Sequence, residues 1–354
     1  MYFLKVAVVS LRFNAGHVAH LKAYHDLFAK LVDEVVLCIH PKYRSFFAEF
    51  PDVIYTTSPE AVLSTSPKIV FMYNVSLHNI VLVCKCKAKR IPSFYVMHEP
   101  YTGIQGLIKE GGEMPRSFVR NIVDCAMCVV TDYIVLASMY GKRQYQRHMA
   151  FLNRNYDVFP LIFADEYRMN QSYERQYFAF IGAFCDPHDK STFVRFMEYA
   201  LTAHLGIRFL IATRTDVSEY LERPLWQQAM VDGDLKVQHG RFMTTEEVNG
   251  YYRQSICVWN AYARSTQSGV LPNALMQGTP LILNSNGVSK EVMQDKTAGC
   301  YISLQPRNEE ILAAYHYIRA NLEEMEKMAR KIFQEKYFYG AQIELAKKIF
   351  LKKE

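Results

Sequence analysis

Glycines and cationic side chains come directly after apolar, strand-like runs in the second half of this 354-residue chain. Glycine lets a backbone approach a ligand closely, and lysine or arginine pairs with phosphate oxygens. A set of such residues at successive strand ends predicts a cleft for an anion, and two cations suit a diphosphate. The residues are Gly182, Gly240, Gly269, Gly287, Lys190 and Arg214. The alternative for Lys190 is a solvated position in the first turn of a helix.

The stretch SGVLPNALMQGTPLILNSNGVSKEV, residues 268–292, combines a small-residue helix start, a short apolar strand and a second glycine turn. The first turn of a helix has free N–H groups and the positive end of the helix dipole, and both favour an anion. Ser268, Gly269 and Val270 are therefore predicted to face the anion. Asn273 is predicted to line the same pocket, because residues three or four apart share a helix face.

Two turns in the first half of the chain carry groups that suit a polar ligand. The segment RFNAGHVAH follows the first apolar run, and its Gly16 and His17 belong to a tight turn that leads into a helix. His98 and Glu99 end another buried run, and Pro100 removes the next backbone donor. His98 and Glu99 are therefore candidate catalytic residues. The structural alternative for His98 is a capped histidine of the core.

Apolar runs of strand length alternate with longer helix-type runs over most of the chain. Continuous apolar runs are typical of strands buried on both faces of a parallel sheet. Ligands of such sheets bind beyond the carboxyl ends of the strands, which is where the candidate residues lie. The runs of the first half are LKVAVVSL, EVVLCIH, KIVFMYN, PSFYVMH, YIVLAS and YDVFPLI. After the polar segment DEYRMNQSYERQ the pattern restarts with YFAFIGAF, IRFLIAT, LKVQHG, ICVWNA, TPLILN and GCYISL.

This repeated pattern predicts an α/β protein of two doubly wound domains facing each other. The polar segment between the two sets of runs is the expected linker. We expect a first domain at 1–165, a second at 166–335, and a terminal helical segment at 336–354.

The formal charge of +6 is concentrated in the first half, where 18 lysines and arginines stand against 13 acidic residues through Asp165. The run KCKAKR holds Lys85, Lys87, Lys89 and Arg90, which are predicted to contact an anionic acceptor or a membrane surface. Solvated helix faces are the alternative. Nucleic acid is not an expected partner, because the chain is not strongly basic overall and has no recognisable nucleic-acid-reading motif.

Composition also bears on location and cofactors. The longest apolar stretch is interrupted by Asp124 and Asp132, and no signal peptide is found, so a cytoplasmic protein is expected. Most of the eight cysteines lie in apolar runs, as free thiols do in a reducing compartment. Cys125 and Cys128 form a CxxC pair, but no second pair follows at zinc-ribbon spacing. Neither a metal nor a cofactor is expected.

The order of the motifs resembles a known family. FIGAFCDPHDKSTFVRFMEYA, HGRFMTTEEVNGYYRQSICVWN and SGVLPNALMQGTPLILNSNGVSKEV resemble the second domain of retaining glycosyltransferases of the group 1, or family 4, type with the GT-B fold. RFNAGHVAHLKAYHDLF and FYVMHEP resemble the family's first glycine loop and strand-end histidine. The resemblance implies two facing Rossmann-like domains and a C-terminal helix that returns to the first domain.

The resemblance also implies an activity. The donor would be a nucleotide-diphosphate sugar, with UDP ranked ahead of GDP on family frequency, and the acceptor a glycan or lipid-linked molecule of surface polysaccharide or lipopolysaccharide biosynthesis. His98 would contact the transferred sugar, and Lys190 and Arg214 would stabilise the leaving diphosphate without a metal. Peripheral contact with the cytoplasmic face of the inner membrane is expected. The donor-binding set is Gly16, His17, Gly182, Lys190, Arg214, Gly240, Arg241, Ser265, Ser268, Gly269, Val270 and Asn273.

Three positions depart from the family pattern. Two family glutamates fall on Ser265 and Asn273, and a family arginine falls on Ala183. Asn273 can still accept and donate hydrogen bonds at a ribose, whereas Ser265 weakens the assignment of sugar recognition. Two alternatives therefore stay open beside the transferase: a GT-B pseudoenzyme that acts as a binding or partner subunit, and a nucleotide-sugar epimerase.

Overall fold

The computed structural model describes residues 3–98, 100, 114–168, 173–262, 268–285 and 287–351. The chain divides into two compact units. The first unit contains Met1–Ala164 together with Tyr337–Glu354, and the second contains Asp165–Lys336.

The first unit is built on a parallel sheet whose strands are ordered β3-β2-β1-β4-β5-β6-β7. The central strands are buried along their length, because both faces of the sheet are covered. The strands are β1 Lys5–Ser10, β2 Glu34–Ile39, β3 Val53–Tyr55, β4 Ile69–Met72, β5 Ser93–Met97, β6 Tyr133–Leu136 and β7 Tyr156–Val158. Every strand predicted in this half is present. The sequence patterns missed β3, which is three half-buried residues long at the sheet edge.

Helices cover both faces of this sheet. They are α1 Val18–Phe28, α2 Pro59–Leu63, α3 Leu77–Ala88, α4 Met114–Val130 and α5 Met139–His148, with short 3-10 helices at Ala15–His17 and Pro41–Phe46. Val6 and Val8 of β1 belong to the core on the α1 side, and the alternate residues Ala7 and Val9 to the core that α3, α4 and α5 cover. Successive side chains of a strand point to opposite faces of the sheet, so neighbouring residues of β1 belong to different cores.

The end of the chain completes the first unit. A 3-10 helix at Tyr339–Gln342 leads into α14 Ile343–Ala346 and a π-helical turn at Lys347–Leu351. The Phe350 ring packs against Phe28, Phe71 and Phe94 with centroid distances of 5.4, 5.4 and 5.3 Å. The C-terminal segment is therefore part of the first unit's core, as the fold prediction required.

The second unit has a six-stranded parallel sheet ordered β10-β9-β8-β11-β12-β13. Its strands are β8 Tyr177–Ile181, β9 Arg208–Ala212, β10 Leu235–Gln238, β11 Ser255–Asn260, β12 Leu281–Asn284 and β13 Gly299–Ile302, one at each predicted run. Its helices are α6 Lys190–Thr202, α7 Ser218–Leu221, α8 Pro224–Val231, α9 Thr245–Arg253, α10 Val270–Met276, α11 Gly287–Val292, α12 Asn308–Ala320 and α13 Leu322–Lys336, with a 3-10 helix at Asp186–His188. Trp226 and Trp259 are fully buried in its core.

Each sheet contains a point where the strand order reverses. In the first unit β1 lies between β2 and β4, and in the second β8 lies between β9 and β11. Beyond the carboxyl ends of these strands the two flanking connections diverge to opposite sides and leave a crevice. A ligand of either unit is therefore expected at its reversal point.

Candidate functional site

Three aromatic side chains of the first unit come together beyond the carboxyl ends of β1, β4 and β5. The His17 ring stacks on the His98 ring with centroids 5.0 Å apart and an interplanar angle of 17°. Both rings meet Tyr73 edge-on, at 5.0 Å from His17 and 4.7 Å from His98. The fold thus brings together His17 and His98, which the sequence predicted separately, and adds Tyr73, which it did not predict.

Hydrogen bonds orient the His17 ring. Asn14 caps the short helix, since its side-chain oxygen accepts from the backbone N–H of Gly16 at 3.0 Å. The amide NH₂ of Asn14 is therefore directed at His17 and donates to Nε2 at 3.0 Å. Nε2 is thereby the acceptor, and the ring proton is on Nδ1. This Nδ1 is buried and has no hydrogen-bond partner in the described part of the chain, which is uncommon for a buried polar atom.

The His98 ring has the opposite proton position. Its Nε2 donates to the backbone oxygen of Tyr73 at 2.7 Å, because a carbonyl can only accept. In the neutral ring the lone pair is then on Nδ1.

Burial lowers the pKa of two histidines at this place, His17 and His20. Burial, with contributions from His98, His20 and Arg12, lowers the pKa of His17 to about 2. Burial also lowers the pKa of His20 to about 3, although the hydrogen bond of its Nδ1 to the Ile162 carbonyl, at 3.1 Å, opposes the shift. Both imidazoles are neutral at physiological pH. They act through hydrogen bonds and packing, not as cations.

The base of the crevice between β1 and β4 is a buried amide that the sequence patterns did not single out. Asn74 Nδ2 donates to Ser10 Oγ at 2.8 Å and to the Arg12 carbonyl at 2.6 Å. Asn79 Nδ2 in turn donates to the Asn74 carbonyl at 2.5 Å. These bonds hold the ends of β1 and β4 together below the histidines. The signal was present, since Tyr73 and Asn74 are the last two residues of the predicted run KIVFMYN and follow the observed strand β4.

Gly182 lies at the reversal point of the second unit, at the end of β8. Its φ of +122° is a conformation that L side chains rarely adopt, and a Cβ there would lie 3.3 Å from Val270 Cγ2. Ser268 Oγ donates to Asn260 Oδ1 at 3.1 Å at the end of β11. The structure thus places Val270 against Gly182 and Ser268 at the end of β11, and the φ of Gly182 favours glycine at that position.

A second stacked pair lies at the same edge and was not predicted. The rings of His188 and Tyr262 are 4.0 Å apart and almost parallel, at 8°. His188 Nδ1 donates to the carbonyl of Ala183, at 2.8 Å, where the family has its arginine. Burial lowers the pKa of His188, and the bond to Ala183 opposes the shift. This pair joins the segments that follow β8 and β11.

The three predicted donor-site cations have different surroundings. Lys190 begins α6, is largely buried, and has its Nζ 3.6 Å from Asp186 Oδ1. Arg214 is exposed, and its guanidinium lies 6.0 Å from the centre of the Phe242 ring. Arg241 forms a two-pronged ion pair with Glu247 at the start of α9. Arg241 is thus held by two contacts, whereas Lys190 has one long contact and Arg214 stacks near a ring, so Lys190 and Arg214 are the better candidates for a phosphate.

The remaining predicted residues of the second unit lie near helix starts and strand ends. Gly240 has a φ of +75° beyond β10, and a Cβ on Gly269 would meet no atom within 4 Å. Asn273 Nδ2 donates to the Gly269 carbonyl at 2.8 Å, one turn back along its own helix. The side-chain oxygen and the second N–H of the amide are then the remaining hydrogen-bonding groups of Asn273. Glu99 and Ser265 lie outside the described residues.

The predicted basic run is separated from the histidine cluster. Helix α3 leads from the carboxyl end of β4 back to the start of β5, so its last turn lies at the opposite edge of the sheet from His98. Lys85 pairs with Glu60 at 2.6 Å, and this contact lowers the pKa of the Glu60 carboxyl to about 2. Lys87, Lys89 and Arg90 are exposed. Any contact made by these three cations belongs to a surface distinct from the crevice.

The described ranges contain no group of three or more histidine, cysteine or acidic side chains arranged to hold a metal ion. Among the helices that these ranges cover, none combines the length and apolar character needed to cross a bilayer.

Comparison with known proteins supports the fold. No protein-family model matches the chain, and no curated protein matches it in sequence. The structure is similar to HepE of Anabaena in complex with UDP and glucose, with a TM-score of 0.71 at 10% identity over 99% of this chain and 100% of that chain. A glycosyltransferase from Rickettsia africae ESF-5 gives 0.71 at 11% over 99% of both chains. Sucrose-phosphate synthase from Thermosynechococcus elongatus gives 0.69 at 11% over 99% and 98%.

These similarities cover almost the full length of each chain, so they apply to both units. The chain has the GT-B fold of glycosyltransferases, and the fold prediction is confirmed. The identities of 10% and 11% make this a statement about architecture.

Proposed function

We propose that the protein is a glycosyltransferase that takes a sugar from a nucleotide-diphosphate sugar, with UDP as the preferred nucleotide. The observation that carries the proposal is the full-length similarity to structures solved with UDP, joined to candidate polar groups at the strand-order reversal of each unit. In this proposal the second unit binds the nucleotide, and His98 of the first unit accepts a hydrogen bond from a hydroxyl of the transferred sugar.

The chemistry requires stabilisation of a leaving diphosphate, since negative charge grows on it as the bond to the sugar breaks. Lys190 and Arg214 are the proposed counter-charges, and removal of one such group typically costs about 3 kcal/mol of transition-state stabilisation. With these cations in place we propose a reaction that needs no metal and retains the configuration of the sugar. Activity that survives a chelator such as EDTA would support the first point, and activity restored only by added Mg²⁺ or Mn²⁺ would contradict it.

The acceptor is proposed to be a glycan or a lipid-linked molecule of surface polysaccharide or lipopolysaccharide biosynthesis. The enzyme would then work in the cytoplasm, in peripheral contact with the inner face of the membrane. The exposed cations Lys87, Lys89 and Arg90 support this placement, because each basic residue near an anionic bilayer contributes about 1 kcal/mol of attraction.

Nucleotide binding is the first test. A thermal-shift panel of UDP, GDP, dTDP and CDP should show one clear stabilisation, since a ligand at about a hundredfold excess over its Kd adds ~2.7 kcal/mol. UDP is the expected nucleotide. No shift with any of the four would contradict the transferase proposal.

A GT-B pseudoenzyme is the second candidate, and the side chain of Asn273 favours it. This residue replaces a family glutamate, and its NH₂ group is bonded within its own helix. Hydrolysis of the donor sugar separates the two candidates, because both bind nucleotide but only the transferase releases the sugar. Nucleotide binding without hydrolysis or transfer, across the common UDP- and GDP-sugars, would favour the pseudoenzyme.

A further inference from the structure

Two neighbouring helices of the first unit are apolar on both sides. Leu82, Val83 and Cys86 of α3 pack in the core between the helices and the sheet, as do Met127 and Cys128 of α4. The opposite sides of the same helices are exposed to solvent and again carry apolar side chains: Leu77 at 67%, Val81 at 47%, Val119 at 60%, Ile122 at 53% and Val129 at 56% exposure. An exposed apolar surface shared by two packed helices indicates an interaction site.

Sequence spacing shows that these residues form continuous stripes. Leu77, Val81 and the exposed Cys84 are four and three residues apart on α3, so they share one helix face. Val119, Ile122 and Val129 are three and seven residues apart on α4, about one and two helical turns, so they also share one face. Since α3 and α4 cover the same side of the sheet, the stripes lie side by side. We name this surface, formed by Leu77, Val81, Cys84, Val119, Ile122 and Val129, the α3–α4 face.

Helices α3, α4 and α5 carry almost no acidic residues. The sequences of α3, α4 and α5 contain a single carboxylate, Asp124. It is only 5% exposed and accepts a hydrogen bond from the Tyr95 hydroxyl at 2.5 Å. Exposed cations lie at one end of the face: Lys87 in the last turn of α3, and Lys89 and Arg90 just beyond it. Lys85 is not among these cations, because its ammonium group pairs with the Glu60 carboxylate.

We propose that the α3–α4 face docks the protein on an anionic lipid bilayer, with its apolar side chains inserted among the lipids and its cations at the headgroups. An apolar helix face bordered by lysine and arginine is the pattern of interfacial membrane helices. A second copy of the chain fits less well, because a two-fold interface pairs the face with a copy of itself, and α3, α4 and α5 offer these cations no exposed carboxylate. The inference rests on the proposed membrane-associated function, but it is tested without donor or acceptor.

The insertion of apolar side chains distinguishes this proposal from attraction by charge alone. At about 1 M NaCl the Debye length is ~3 Å, so binding by charge is largely screened. Binding by buried apolar surface persists under these conditions. The full-length protein should therefore sediment with vesicles of equal parts phosphatidylglycerol and phosphatidylcholine at low salt, and a fraction should stay bound at high salt.

Matched serine variants test which surface inserts. Val81→Ser with Ile122→Ser should lower vesicle partitioning by at least about tenfold at low salt and abolish the salt-resistant fraction, because two apolar side chains no longer enter the lipid. The control is Val231→Ser with Leu304→Ser, which changes apolar residues of the second unit exposed at 82% and 69%. It should bind vesicles as the parent does. All four positions are exposed, so the thermal midpoints should stay close to that of the parent.

A probe at Cys84 measures insertion directly. In a Cys125→Ser, Cys185→Ser background the remaining cysteines other than Cys84 are buried, so a polarity-sensitive dye labels that position selectively. Its emission should shift to the blue with the anionic vesicles and be quenched by a quencher attached to the lipid chains. Equal vesicle binding by the parent and the Val81→Ser, Ile122→Ser variant would overturn the proposal. So would a change of oligomeric state in that variant, seen by sedimentation velocity, with vesicle binding intact.

Failure of this proposal is separable from failure of the proposed function. Donor hydrolysis with a water-soluble nucleotide sugar needs no membrane. Hydrolysis in the absence of vesicle binding would overturn the docking surface and leave the transferase. Vesicle binding by the α3–α4 face without nucleotide binding would overturn the transferase and leave the docking surface.

Discussion

The imidazole of His17 lies parallel to that of His98, although one follows β1 and the other ends β5. Their proton positions are complementary. His17 has its proton on Nδ1 because Asn14 donates to Nε2, and His98 has its proton on Nε2 because that atom donates to Tyr73. The stack holds the plane of the His98 ring, and the bond to Tyr73 leaves Nδ1 as the acceptor of its neutral form. We interpret His17 as a positioning residue for His98 as well as a candidate donor contact.

Two substitutions of His17 separate its ring from its hydrogen bond. His17→Phe keeps a ring against His98 and should leave kcat within about threefold of the parent, whereas His17→Gln keeps an acceptor for Asn14 but loses the stack and should lower kcat about tenfold at nearly unchanged donor KM. His98→Ala should lower kcat at least as much as His17→Gln, with nucleotide affinity unchanged. Steady-state kinetics gives the kcat and KM values, and calorimetry gives the affinity.

A readout independent of activity is the tautomer of His98, which ¹⁵N NMR of the ring reports. His17→Phe should preserve the Nε2–H form, and His17→Gln should give a mixture of tautomers. If His17→Gln retains full activity while His17→Phe loses it, the bond to Asn14 matters and the stack does not.

Lys190 should contribute to the affinity for a nucleoside diphosphate. Lys190→Ala should weaken UDP binding by about 1 to 3 kcal/mol, the usual loss when a charged partner of a phosphate is removed. Lys327→Ala is a matched control, because Lys327 also pairs with a carboxylate four residues earlier, Glu323, but on α13. Titration calorimetry should show parental affinity for the control. Equal affinity for both variants would place the diphosphate elsewhere.

Asn273 should contact the nucleotide through its side-chain oxygen. Asn273→Ala should weaken nucleotide binding by about 1 to 3 kcal/mol, the cost of leaving a buried partner unsatisfied. Asn273→Glu restores the family residue and should bind as tightly as the parent or more tightly. The same nucleotide titrations provide the measurement. Parental affinity in both Asn273→Ala and Lys190→Ala would mean that the stretch 268–292 serves only to pack a helix on the sheet.

Acid should destabilise the first unit through His20. Its folded pKa of about 3 lies below the unfolded value of ~6.5, so its stabilising contribution is full above pH ~6.5 and is lost as the pH falls toward 3. Between about pH 6.5 and 5 the loss is ~2 kcal/mol. His20→Phe removes the titrating group. In urea titrations, the fall in unfolding free energy between about pH 7.5 and 5 should therefore be ~2 kcal/mol smaller than in the parent, whatever the variant's stability at neutral pH. Equal falls in both proteins would show that His20 is protonated in the folded state.

Local sequence patterns were sufficient for most of the architecture, because a strand buried on both faces has to be apolar throughout. This signal located every long strand, from LKVAVVSL to GCYISL. The alternation of these runs with helix-type runs predicted the parallel sheets. It missed β3, because VIY is three half-buried residues at the edge of the sheet, too short to form a recognisable apolar run. The strand-end rule then selected His98, Gly182 and Lys190.

The partners of these residues were decided only by the tertiary structure. Nothing in the spacing of His17, Tyr73 and His98 makes them neighbours. They meet because β4 lies between β1 and β5, a strand order set by long-range pairing. His188 and Tyr262 meet for the same reason through β8 and β11. The compensation of Arg241 by Glu247 and the bond of Asn273 to Gly269 depend on side-chain directions at helix starts, and these follow from packing. Sequence determined which residues stand at the ends of strands, and the fold determined which charges and hydrogen-bonding groups remain available for a ligand.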